Sequence, residues 1–271
     1  MTIDLRNRKV LLTGASRGIG VHIAQALAER GAKLVLTARS PDALAETAAR
    51  CEAAGASVTI VAADLRAPED RARLIEAAAA PDVLINNAGV EFPKRLVAQT
   101  DAEIAAQLEL NLGVPIDLTR RALPAMLARG SGTVVNISSM SGKGATPFNS
   151  IYAATKYGLN GWTQSLRIEL LGTGVHVGVV CPGFVEAGMW QRTGLDAPAG
   201  LRAVSPHKVA GAVLKVIGGH PEVLVTPGPI RPFLALRELF PRMEAKALKL
   251  MGVLDTLRER DAIAGADSTE P

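Results

Sequence analysis

The chain predicts a doubly wound α/β fold, a single domain with a seven-stranded parallel sheet flanked by helices and a helical C-terminal extension. Three observations carry this prediction. Short β-branched apolar runs alternate with longer Ala-rich stretches, and a glycine-rich turn directly follows the first run. Aromatic residues are only 3% of a chain that is 48% apolar, so the core must come mainly from Ala, Val, Leu and Ile, as where helices pack on a sheet.

The runs occupy residues 10–13, 34–37, 58–61, 83–85, 133–137, 175–180 and 223–225. Between the first two, Ile19, Ile23 and Leu27 recur at i, i+4 and i+8, which is one face of a helix. Parallel strands need crossovers long enough to hold a helix, so the alternation implies βαβ units across residues 1–228. Ligands of such sheets sit beyond the carboxyl ends of the strands.

Residues 229–271 differ. Thr226-Pro-Gly-Pro229 and Pro232 punctuate their start, and Leu236, Phe240, Met243, Ala247, Leu250, Leu254 and Leu257 then recur at spacings of four and three. Arg237, Arg242, Lys246 and Lys249 fall between them, and Pro241 rules out one long helix. Packing on its own domain is the first expectation for this stripe, then covering the substrate crevice, then membrane contact; pairing with a second subunit is a further use. Residues 265–271 are expected to fray.

The 30 Lys and Arg against 26 Asp and Glu give a net charge of +4, spread along the chain rather than in blocks. That suits a phosphate-bearing cofactor and not nucleic acid. Cys51 and Cys181 stand alone, without metal-ligand spacing, and read as small buried hydrophobes. His22, His176, His207 and His220 suggest no metal or triad. Residues 1–10 carry Asp4, Arg6, Arg8 and Lys9 and no apolar leader core, and no uncharged run reaches spanning length. A cytoplasmic location is expected.

The turn after the first strand reads Thr13-Gly14-Ala15-Ser16-Arg17-Gly18-Ile19-Gly20. Glycines there allow a tight turn and close approach of backbone to a pyrophosphate, while the following helix offers unpaired N–H groups to the anion. The second strand ends in Thr37-Ala38-Arg39-Ser40, where an NAD site would present an acid to the ribose 2′-hydroxyl. Arg39, with Arg17, would instead receive a 2′-phosphate, so NADP is the expected cofactor.

Tyr152-Ala-Ala-Thr-Lys156 puts a phenol and an ammonium on one helical face, and a nearby positive charge brings a phenol toward the working range as an acid or base. Ser139 stands thirteen residues earlier at the end of the fifth run, where a hydroxyl can donate to a substrate oxygen gaining charge. Asn86-Asn87-Ala88-Gly89 makes another small-residue turn beside the same crevice.

Together with Cys181-Pro182-Gly183-Phe184-Val185, these motifs occur in the order of the short-chain dehydrogenase/reductase family, which the chain resembles over residues 5–225. The resemblance implies a Rossmann-type fold with Tyr152 as general acid and base, Ser139 holding the substrate oxygen, and Lys156 binding the nicotinamide ribose. It places Asn111 beside a proton-relay water, Asp64 and Leu65 at the adenine, Asn87, Ala88 and Gly89 along the cofactor crevice, and Pro182, Gly183 and Val185 near the nicotinamide. It further implies a mobile lid over residues 186–206 and a homodimer or homotetramer built through helices around residues 104–128 and 152–171. One departure stands out: Ala187 replaces a threonine common in the family, removing one cofactor hydrogen bond worth about 0.5–1.5 kcal/mol.

Met189, Trp190, Leu195 and Pro198, with Phe92 and Phe148, suggest either a pocket for a mainly apolar carbonyl compound or simply core. The function expected is NADP(H)-dependent hydride transfer between nicotinamide and a ketone or secondary alcohol. A noncatalytic NADP sensor or scaffold, and a lyase or epimerase variant of the same fold, are the alternatives.

Overall fold

The computed structural model describes residues 3–192, 194–198 and 201–267. Seven parallel strands pair in the order β3-β2-β1-β4-β5-β6-β7. They are β1 (Lys9–Thr13), β2 (Lys33–Ala38), β3 (Val58–Ala62), β4 (Val83–Asn86), β5 (Gly132–Ile137), β6 (Val175–Pro182) and β7 (Glu222–Val225), each containing one of the seven runs. The order reverses between β1 and β4, which opens a crevice at their carboxyl ends.

Because successive strand residues face opposite sides, each strand feeds two cores. Val10 and Leu12 of β1 pack with Ile23 and Leu27 of α1 (Ile19–Ala28), Leu44 of α2 (Pro41–Ala53) and Val209 and Val213 of α8 (Pro206–Ile217). Leu11, between them, faces the second layer with Leu74 of α3 (Pro68–Ala78), Leu118 and Met126 of α5 (Val114–Arg129) and Leu166 of α6 (Ser150–Glu169). Buried on both faces, the inner strands β1, β4 and β6 read as largely apolar runs and not as alternating ones, while the edge strand β3 is partly exposed. Cys51 and Cys181 are free and buried, as expected.

α4 (Asp101–Leu108) starts with a capping box in which Thr100 and Glu103 each bond the other's backbone N–H. It runs through a five-residue π-helical turn, Glu109–Gly113, into α5. A short α7 (Gly188–Gln191) follows β6, and beyond β7 come α9 (Arg231–Leu239), α10 (Arg242–Leu250) and α11 (Val253–Asp267), with Pro241 at the break between α9 and α10. α11 runs to Asp267, into the stretch expected to fray. Residues 268–271 lie outside the described ones. Among the described residues no helix is long and apolar enough to cross a membrane.

Candidate functional site

The first wall of the crevice is the glycine turn. Gly18, at φ +59°, caps α1 without a side-chain cap, so the first-turn N–H groups stay available to an anion. A Cβ on Gly20 would lie 2.1 Å from the Gly14 carbonyl oxygen, so only glycine allows that closeness. The turn is stitched to the loop after β4. Asn87 donates from Nδ2 to the carbonyls of Thr13 and Gly14, both at 3.0 Å, and Thr13 Oγ1 accepts from the N–H groups of Asn87 and Ala88.

Arg17 and Arg39 do come together, and Arg192, from the end of α7, joins them. The Arg17 guanidinium is held below its usual range first by desolvation, then by the charges of Arg192 and Arg39. Arg17 thus stands among like charges, while the Arg39 charge also helps to hold down the nearby Asp64 carboxyl. Asp64 accepts from Arg66 at 2.7 Å, which holds its carboxyl down to about 2. The Leu65 side chain is buried in the second core, and its carbonyl is taken by Arg71 at 2.9 Å.

The second wall carries Tyr152, Lys156 and Ser139. Tyr152 and Lys156 share the buried face of α6 one turn apart. Ser139 follows β5, accepts from the Ser141 N–H at 3.0 Å, and hydrogen-bonds the Tyr152 hydroxyl. Lys156 Nζ donates to the Ile137 carbonyl at 2.9 Å and lies 5.5 Å from the centre of the Tyr152 ring. Asn111, in the π-helical turn, is fixed by bonds in both directions with the Val90 backbone at 2.8 Å and by a donation to Thr155 Oγ1. Gly89 keeps the gap between them open: its Cβ would lie 3.0 Å from Asn111 Oδ1 and 3.9 Å from Lys156 Nζ.

The lowered phenol pKa expected from the sequence is not what this surrounding produces. Burial pushes Tyr152 up from its usual value and the Glu91 carboxylate adds to this, while the Ser139 hydrogen bond and the Arg260 charge act weakly the other way. Burial also brings Lys156 down to about 8. The site therefore favours a phenol that holds its proton until it is used.

Asn87, Gly89, Pro182, Gly183 and Val185 line a cavity of about 280 Å³ together with Ser139, Tyr152 and Lys156. Ala187 also lines it, buried and extended at the start of α7. Of the residues left between pocket and core, Met189 and Trp190 line this cavity, whereas Phe92, Phe148, Leu195 and Pro198 do not. Phe148 instead lies under the Arg95 guanidinium at 5.8 Å, its backbone in the left-handed region. The apolar wall comes from the C-terminal helices: Phe233, Leu234, Leu248 and Leu257.

Glu91 and Arg260 were not singled out from the sequence. They form a buried ion pair on the cavity wall, with Glu91 also accepting from Asn149 Nδ2 at 2.9 Å and the Arg260 guanidinium 5.3 Å from the Trp190 ring. Arg260 Nε is buried without a hydrogen-bond partner. Glu91 is signalled only by being a charge two residues past Gly89; Arg260 has no local signal. His22 and His207, assigned no chemistry, meet edge to face at 4.7 Å between α1 and α8. Among the described residues no group of three or more His, Cys, Asp or Glu could hold a metal ion.

This arrangement has counterparts. The chain is 41% identical over 267 residues to the ketoacyl reductase HetN of Nostoc sp., covering 94% of this chain and 93% of that one. A short-chain dehydrogenase from Sphingobium yanoikuyae solved in complex with NADPH superposes with a TM-score of 0.76 at 32% identity, covering 88% of this chain and 95% of the other. A 3-oxoacyl (acyl-carrier-protein) reductase from Agrobacterium tumefaciens with NADP bound gives 0.75 at 31% identity, over 83% and 95%. The sequence model of the short chain dehydrogenases matches residues 8–197, and with these likenesses the chain belongs to the short chain dehydrogenase family.

Proposed function

We propose that the protein is an NADP(H)-dependent oxidoreductase that reduces a ketone, or oxidises the matching secondary alcohol, on a mainly apolar substrate. The observation that carries this is the convergence of Ser139, Tyr152 and Lys156 on one apolar cavity beside the glycine turn. Residues 1–228 form the dinucleotide-binding and catalytic unit in this reading, and residues 229–271 cover its substrate side.

The residues fit the dinucleotide. Gly14, Ser16, Gly18, Ile19 and Gly20 offer backbone to the pyrophosphate, and Arg17, Arg39 and Arg192 receive the 2′-phosphate, where an NAD site would need an acid. Asp64, Leu65, Asn87, Ala88 and Gly89 flank the adenosine side, and Pro182, Gly183 and Val185 the nicotinamide side. The bound dinucleotide supplies a hydride to the carbonyl carbon. Ser139 donates a hydrogen bond to the carbonyl oxygen as charge develops there, and Tyr152 gives that oxygen its proton. Lys156 and Asn111 hold the path by which Tyr152 regains a proton. Arg260 lines the cavity in its ion pair with Glu91, and in this reading its guanidinium donates to a second oxygen of the substrate, which suits a ketone bearing another carbonyl nearby. A cytoplasmic homodimer or homotetramer completes the reading.

NADPH consumption over a panel of apolar ketones and 3-oxoacyl thioesters tests it. Tyr152→Phe should lower kcat by about 10²–10⁴-fold and leave NADPH binding intact. A mutant as active as the wild type refutes the mechanism, and cofactor binding without turnover on any member would favour a sensor. kcat/KM for NADPH, which reports groups on the free enzyme, should be level below pH 8 and fall above it as the Lys156 ammonium, brought down to about 8 by burial, loses its proton. A profile flat through pH 10 would contradict that role.

A further inference from the structure

We propose that α9 and α10 form a docking surface for an anionic lipid bilayer. Neither helix contains a buried residue. Their inner sides wall the substrate cavity through Phe233, Leu234, Glu244 and Leu248, yet large apolar side chains also point outward: Leu239 is 74% exposed, Leu250 90%, and Leu236, Phe240 and Met243 are exposed as well. On α10, Met243 and Leu250 stand two turns apart on one stripe, and Arg242, Lys246 and Lys249 make a parallel exposed row beside it. The acid of α10, Glu244, is turned away from this face, bonded to Arg237 and to the Ala145 N–H.

Charge decides the occupant. A second copy meeting this face across a two-fold axis would bring two basic rows together, and like charges in register disfavour that contact. An anionic bilayer matches both features, because headgroups neutralise the bases while Leu239, Phe240, Met243 and Leu250 reach the acyl boundary. The same helices wall an apolar cavity on their other side, so docking would set that cavity next to a reservoir of apolar compounds. The inference does not depend on the reaction assigned above.

Flotation of the full chain with phosphatidylcholine vesicles, and with vesicles of phosphatidylcholine mixed with phosphatidylglycerol, tests it. The wild type should float with the mixed vesicles at low salt, much less with phosphatidylcholine alone, and less as salt rises. Each base near such a surface adds about fivefold to partitioning, so Lys246→Glu/Lys249→Glu should weaken binding by at least about 25-fold. Leu239→Glu/Phe240→Glu should also abolish flotation, whereas Val97→Glu, at an exposed apolar site elsewhere, should float like the wild type. Unchanged melting temperatures keep the variants interpretable. Failure of the wild type to float, equal flotation with both vesicles, or variants that float normally would each overturn the proposal. So would a wild-type oligomer that these variants split without any vesicle binding, since that would make a second copy the occupant.

Discussion

The two sides of the active-site cleft are built by different means. On the dinucleotide side, strand ends and tight turns are locked by two short polar side chains bonded to backbone: Thr13 Oγ1 accepts from the Asn87 and Ala88 N–H groups, and Asn87 Nδ2 donates to the Thr13 and Gly14 carbonyls. On the substrate side, three helices beyond the last strand lean over the cavity, two of them with nothing buried, and charge pairs hold the third. There Arg260 meets Glu91, and Asp261 accepts from the Arg95 N–H at 2.9 Å. A wall whose backbone segments pack as closely as Gly14 and Gly20 do tolerates few residue types, while one made of long side-chain pairs can change its lining without disturbing the sheet.

Three substitutions sharpen or break this contrast. The largest effect is expected at Arg260→Met, which leaves Glu91 buried without its cation, a loss of about 3–5 kcal/mol. The ketone KM should rise and the melting temperature fall, with NADPH affinity by fluorescence titration moving less than about twofold. Adding Glu91→Gln should restore part of the loss, and a parallel drop in NADPH affinity would show that the two sides are one unit. Next comes Arg39→Asp, which in the proposed reading would remove a charged hydrogen bond to the 2′-phosphate worth about 1.5–3 kcal/mol. kcat/KM should fall with NADPH and rise with NADH, shifting preference toward NAD, and equal efficiency with both cofactors in the wild type would undo the assignment. The smallest is Ala187→Thr, expected to tighten NADPH binding by about 0.5–1.5 kcal/mol if the extended backbone at that position aims the new hydroxyl at the cofactor. No change by calorimetry would mean that the hydroxyl has no partner there.

The same contrast explains what the sequence discloses. All seven strands were legible because each carries a short run rich in Val, Ile and Leu bounded by turns; the inner strands β1, β4 and β6 are buried almost throughout, whereas the edge strand β3 is half open yet keeps the same run. Gly18, Tyr152 and Lys156 were legible because turn geometry and helical spacing are local constraints. Arg192 and Arg260 were not, since each reaches its partners only after the chain has crossed the sheet and returned. Which aromatics line the pocket was not legible for the same reason: Trp190 does, but Phe148 lies just before Tyr152 in sequence while its ring lies under Arg95, its backbone left-handed, and Phe233 and Leu248 line the cavity. The rise of the Tyr152 pKa was missed because burial cannot be read from a four-residue spacing.

The wide turn holding Asn111 makes α4 and α5 a rod whose two halves are out of phase. One residue of helix is about 100° of rotation and 1.5 Å of rise. Losing a single residue anywhere in Glu109–Gly113 would therefore swing Val114, Leu118 and Ala122 off the sheet and drag the carboxamide from the Val90 backbone at the same stroke. Chain length in that stretch is consequently under tighter control than the identity of most of its residues, and a one-residue deletion there should do more harm than a point substitution of any single buried residue in α5.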